Sequence, residues 1–180
     1  QDGTLVGAYP LHVDTLTLEC NVVAGASGPS LASGSAWQEV ATETWTPPGA
    51  TWIMSAWVSL DPIASASISL LEIDGDGNET WRGILIDSSG SLTASGTINS
   101  GVVMTNRTNN PPMTWHRVYF SFTGPNTAIA SNTYMVLQNT TENHIASQSV
   151  YFDGIQLEKA GSNQTRPSPY TGGTILVSPN

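Results

Sequence analysis

Residues Thr114–Thr123 read TWHRVYFSFT, and their alternation decides the class of fold. His116, Val118, Phe120 and Phe122 fall on one side of an extended chain, and Trp115, Arg117, Tyr119 and Ser121 on the other. A period of two over eight or more residues is the mark of a β-strand with one face in a core. The same grammar recurs outward in both directions. Thr15–Val23, Ala36–Thr42, Thr51–Leu60, Ser67–Ile73, Glu79–Ile86, Gly101–Thr105, Thr133–Gln138 and Gln148–Glu158 all read as strands, separated by clusters of Gly, Pro, Asn and Ser. No window carries a stripe with the 3.6-residue period of a helix. Many short strands with turn signals between them predict an all-β domain, a two-sheet antiparallel jelly-roll sandwich.

Composition points the same way. Charged residues make up 11% of the 180, against about 25% in ordinary soluble domains, so surface polarity falls to Ser, Thr, Asn and Gly. The net charge is -9, with five basic residues: Arg82, Arg107, Arg117, Lys159 and Arg166. Nucleic acid is excluded as a partner, because displacing counterions from a phosphate backbone needs clustered Lys and Arg. Anionic membranes are disfavoured for the same reason, and no apolar run approaches the ~20 residues of a helical span. The chain divides into an irregular N-terminal arm or first strand plus loop (1–34), the sandwich (35–159) and an extended C-terminal tail (160–180). Its start at Gln1 without Met reads as a processed chain or an excerpt of a longer one.

Catalytic chemistry finds no footing. Cys20 is the only cysteine and reads as a small buried hydrophobe. His12, His116 and His144 are scattered, without the close second ligand that zinc requires, and His116 reads as a core or rim histidine. Serines lack the G-x-S-x-G frame, and no carboxylate pair stands out for glycoside hydrolysis. Asp74, Asp76 and Asn78 begin like a calcium loop, but Glu79 and Leu85 stand where that loop needs Gly and Glu. The stretch reads as a hairpin turn instead. No residue is assigned a catalytic role. The most suggestive group is Trp57, Trp115, Arg117 and Tyr119, on strand faces opposite the most apolar sets. Flat rings beside hydrogen-bonding groups are what a carbohydrate-binding sheet uses.

The segment Val150–Lys159 (VYFDGIQLEK), followed by Thr165–Tyr170 (TRPSPY), resembles the closing strand and tail of carbohydrate-binding-module-like jelly rolls found in bacteriophage virion proteins. Thr51–Val58 (TWIMSAWV) is similar to an early core strand of that family, and Thr114–Thr123 to its Trp-x-Arg-Val strand. The resemblance covers about residues 35–170. It implies a non-enzymatic virion structural protein at the particle surface, in a head decoration, tail fibre or baseplate. Other virion proteins are its implied partners, together with copies of itself, a trimer being favoured. It also implies a structural calcium in some relatives, with Asp153 at the matching position. The alternative is a glycan-binding module, for host-surface adhesion or attached to a secreted polysaccharide-degrading enzyme, with Trp57, Trp115, Arg117 and Tyr119 at the contact.

Overall fold

The computed structural model describes residues 16–18, 35–41, 44–45, 47–109, 112–125, 130–141 and 148–170. Cys20, His12 and His144 lie outside them. Along the chain run β1 (Leu16–Leu18), β2 (Ser35–Glu39), β3 (Thr51–Leu60), β4 (Ser65–Asp74), β5 (Glu79–Asp87), β6 (Leu92–Ser95), β7 (Asn99–Asn109), β8 (Pro112–Thr123), β9 (Ala130–Asn139) and β10 (Val150–Lys159). They form two antiparallel sheets, in the orders β1-β10-β3-β8-β7 and β2-β9-β4-β5-β6, packed face to face as a β-sandwich. Pairing is nested: β1 with β10, β2 with β9, β3 with β8, β4 with β5.

Alternation supplies the core. From the first sheet, Trp52, Met54, Ala56 and Val58 point inward beside Val118, Phe120 and Phe122. From the second, Ala66, Ile68, Leu70, Ile84, Ile86, Met135 and Leu137 meet them. Trp45, 1% exposed, packs edge-on against Trp52 at 5.0 Å and Phe122 at 6.0 Å, closing the core beside β3. Contacts of this geometry add about 0.5–1.5 kcal/mol each beyond the area they bury. Arg82 rivets the sheets at one end, pairing with Glu72 at 3.2 Å in its own sheet and donating to the Thr123 carbonyl of the other.

Two elements differ from the sequence reading. β6 was not expected, because Leu92 is the single large apolar side chain in a four-residue strand. β7 extends well past Gly101–Thr105 in both directions, because its end residues, Asn99 and Ser100 at one end and Asn106 to Asn109 at the other, pair with β8 through the backbone, and polar residues of that kind give no alternation to read. The Asp74–Asn78 stretch forms the β4–β5 turn. There Asp74 Oδ1 accepts from the Asp76 and Asn78 amides at 2.9 and 2.8 Å, and Gly77 takes φ +85°. Those bonds hold the Asp74 carboxyl below its ordinary pKa, the Asn78 side chain contributing most.

Candidate functional site

All four residues singled out from sequence lie on the outer face of the first sheet. Trp57 on β3 stands opposite Arg117 on β8, with Trp115 and Tyr119 two residues either side of Arg117. In the other direction Trp57 faces Asp153 on β10. This outer face is not a solvated one: Ile53 and Ser55 are 0% exposed, and Arg117 and Tyr119 each 4%. The chain after β10 folds back across it as a strap.

Specific bonds hold that strap. Arg117 Nη2 donates to the Ser168 carbonyl at 2.7 Å and to Gln156 Oε1 at 3.2 Å. The Ser168 amide donates to Glu158 Oε1 at 2.6 Å, and Asn99 Nδ2 to the Thr165 carbonyl at 3.3 Å. Burial lowers the Arg117 pKa, while the Glu158 carboxylate works against that shift. A guanidinium out of water needs such partners, since an uncompensated buried charge costs several kcal/mol.

The Asp-Gly pair in β10 makes room for the strap. Register between β10 and β3 slips between Asp153 and Gln156, a β-bulge with Gly154 at φ +55°. The extra residue reverses the alternation, so Phe152 and then Ile155 and Leu157 face the core. A Cβ on Gly154 would sit 2.9 Å from the Trp57 ring and 3.3 Å from that of Tyr170. Asp153 Oδ1 accepts from the Gly154 amide at 2.6 Å. Among the described residues no three His, Cys, Asp or Glu side chains gather as a metal-binding group. Calcium takes six to eight oxygens, so an ion at Asp153 would also draw on amide side chains, backbone carbonyls and water.

His116 lies at the rim of the core. Its Nδ1 shares a 3.0 Å hydrogen bond with Thr105 Oγ1, and its ring fills the space where a Cβ on Gly90 would stand. Burial lowers its pKa and the Asp87 carboxylate partly opposes this. A recess of about 280 Å³ opens beside it, lined by Ser59, Asp61, Ser88 and Thr114 among others. Ser88 donates to the Pro62 carbonyl at 2.7 Å, and Asp61 accepts from the Ser149 amide at 2.7 Å. Both polar groups are thus committed to holding loops.

A second, more open depression lies on the outer face of the other sheet. It measures about 340 Å³ and has a floor of small residues, Ser67, Ser69 and Gly83, between Trp81 and Leu85 on one side and Gln138 on the other. Gly83 is required there: a Cβ would lie 2.4 Å from the Ile68 carbonyl oxygen. Ser67 Oγ donates to Gln138 Oε1, and Gln138 Nε2 to Ser35 Oγ, both at 3.1 Å. Trp81 is 36% exposed, with its indole N–H on Glu79 at 3.0 Å. Beyond the floor, Trp37 packs edge-on against Tyr134 at 5.5 Å. Sequence reading passed over this groove. Its trace was the Ser-x-Ser alternation at 67 and 69 facing Trp-x-Gly-x-Leu at 81–85.

Comparison with known proteins finds no match for this chain among family models, curated proteins or solved structures.

Proposed function

We propose that the chain is a non-enzymatic jelly-roll module of a bacteriophage virion, exposed on a head decoration, tail fibre or baseplate, where it assembles with other virion proteins and with copies of itself. The observation that carries this reading is the interlocked strap. Arg117, Gln156, Glu158 and Ser168 are joined by hydrogen bonds, and Trp57 and Tyr170 close on Gly154; all seven lie in segments that carry the resemblance. A motif whose side chains are spent on one another is a scaffold motif. The nested strand pairing supports the jelly-roll part of the reading: a long antiparallel ribbon, rolled so that its pairs alternate between sheets, gives this order with β6 and β7 inserted. The test is labelling of purified virions from the source phage with an antibody to the chain. Regular labelling at one particle position is expected, and its absence from purified virions overturns the reading.

A second reading, glycan binding, draws on the groove over Ser67, Ser69 and Gly83. An exposed indole beside hydroxyl and amide groups suits a sugar, whose C–H face stacks on the ring while its hydroxyls find partners. The Trp57, Trp115, Arg117 and Tyr119 face would serve only with the strap lifted away. Titration with host cell-wall polysaccharide, followed by tryptophan fluorescence, separates the two: Trp81→Ala abolishes the response if the groove binds. No response from the unaltered chain sinks the reading.

A further inference from the structure

The groove over Ser67, Ser69 and Gly83 lies on the outer face of the second sheet, and strand order gives it a direction. Its lining comes from four neighbouring strands: Gln138 from β9, Ser67 and Ser69 from β4, Gly83 from β5, and Thr93 and Ser95 from β6. Three strand spacings make roughly 14 Å. Register sets Gly83 between Ser69 and Ser95, and Leu85 between Ser67 and Thr93. β6 is the edge of the sheet, and Thr93, Ala94 and Ser95 are small and exposed, so nothing large in β6 closes that end. Trp81 stands beside the floor with its indole N–H bound to Glu79 at 3.0 Å, which leaves the ring itself as the surface on offer.

Charge selects among ligands. Four of the five basic residues belong to the other sheet: Arg107 on β7, Arg117 on β8, Lys159 on β10, and Arg166 in the strap. The fifth, Arg82, borders the groove, but its guanidinium is spent on Glu72 at 3.2 Å and on the Thr123 carbonyl. An acidic ligand would therefore meet no uncommitted cation there, while Glu39 and Glu79 stand on the same face, in register with Tyr134 and Ile73. Its charge would lose water without compensation. A cationic ligand finds no carboxylate in the lining either. What lines the groove is the Trp81 ring, the Leu85 side chain, and hydroxyl and amide groups of Ser, Thr and Gln, which donate and accept alike. Sugar hydroxyls need such partners. We infer that the groove takes the interior of an uncharged polysaccharide chain, laid across the strands over Ser69 and Gly83, with a sugar ring against Trp81.

The inference rests on the glycan-binding reading, and the experiment separates the two. Host cell-wall polysaccharide is fractionated by charge, and the neutral fraction, the acidic fraction and the monosaccharides released from each are titrated calorimetrically into the unaltered chain, Trp81→Ala and Trp81→Phe. The expected result is binding of the neutral polymer, unchanged by added salt, with no heat from the acidic polymer or from monosaccharides. Trp81→Ala should weaken that binding by about tenfold, the loss of one stacked ring, while Trp81→Phe retains it. Trp81 is exposed, so circular dichroism of both variants should remain that of the parent. Binding of the acidic polymer alone, lost in Trp81→Ala, overturns the uncharged ligand while glycan binding in the groove stands. Monosaccharides that bind as tightly as the polymer overturn the seating of a chain interior. Neutral binding indifferent to Trp81→Ala puts the sugar elsewhere and overturns the inference. No heat from either polymer overturns the inference and the glycan-binding reading together.

Discussion

His116 shows how one side chain is placed by two sheets at once. β8 carries it, Thr105 on β7 bonds its Nδ1, and the Gly90 turn from the opposite sheet packs on its ring. Protonation would put a charge where water is largely excluded, so its pKa lies below the ordinary 6.5. The unfolded chain therefore takes up the proton first as pH falls. Linkage then makes stability decline as pH drops through 6.5, levelling off below the folded pKa. In His116→Gln this pH dependence should disappear, in urea titrations between about pH 7 and pH 5. His12 and His144 are common to both proteins and cancel. Glu72 acts oppositely: burial raises its pKa despite Arg82, so its contribution is lost as pH rises through and beyond 4.5. An unchanged slope in His116→Gln would mean that the ring is solvated after all.

At the scale of the element, the strap over the first sheet is the feature that separates this sandwich from a simple two-layer one. Truncation after Ala160 removes the Ser168 acceptor from Arg117 and the Tyr170 ring from Gly154. It should lower stability by roughly 1–3 kcal/mol, from the loss of the strap's hydrogen bonds to Arg117, Glu158 and Asn99 at about 0.5–1.5 kcal/mol net each. Trp57 and Tyr119 would meet water, and tryptophan emission should shift to the red. If neither changes, the strap is not held as described. Most strands were legible because period-two alternation is local: Trp52, Met54, Ala56 and Val58 announce their face without reference to any partner. What alternation cannot carry is an event between strands. The bulge at Gly154 turns Gln156 and Glu158 outward, and the bond from Arg117 to Ser168 joins positions far apart in sequence. The outward placement of Trp57, Trp115, Arg117 and Tyr119 was therefore readable, and so was an extended tail after β10, while the docking of that tail on Arg117 and Gly154 was not. The groove at Ser67, Ser69 and Gly83 escaped because its floor consists of small residues. Those look like weak strand formers until β5 is brought against β4.

For the whole molecule, nested pairing prescribes an order of assembly. β4 and β5 meet across the Asp74–Asn78 turn, so little chain entropy is lost in joining them. β1 and β10 lie at opposite ends of the described chain, with Leu18 opposite Val150. Their pairing gains nothing until the strands between have rolled together. Sandwiches dominated by such non-local pairs fold in milliseconds to seconds. Two probes distinguish the ends of this sequence of events. Gly77→Ala places a Cβ at φ +85° with no atom within 4 Å, so its cost is purely conformational, about 1–2 kcal/mol. Phe152→Leu trims a fully buried β10 ring, at about 1–2 kcal/mol for the lost burial and the small cavity left behind. In chevron measurements Gly77→Ala should chiefly slow folding, because the turn is already formed in the transition state. Phe152→Leu should chiefly speed unfolding, because β10 docks afterwards. The reverse assignment would mean that the ribbon closes from its ends inward, and loop closure would then not be what orders the folding of this sandwich.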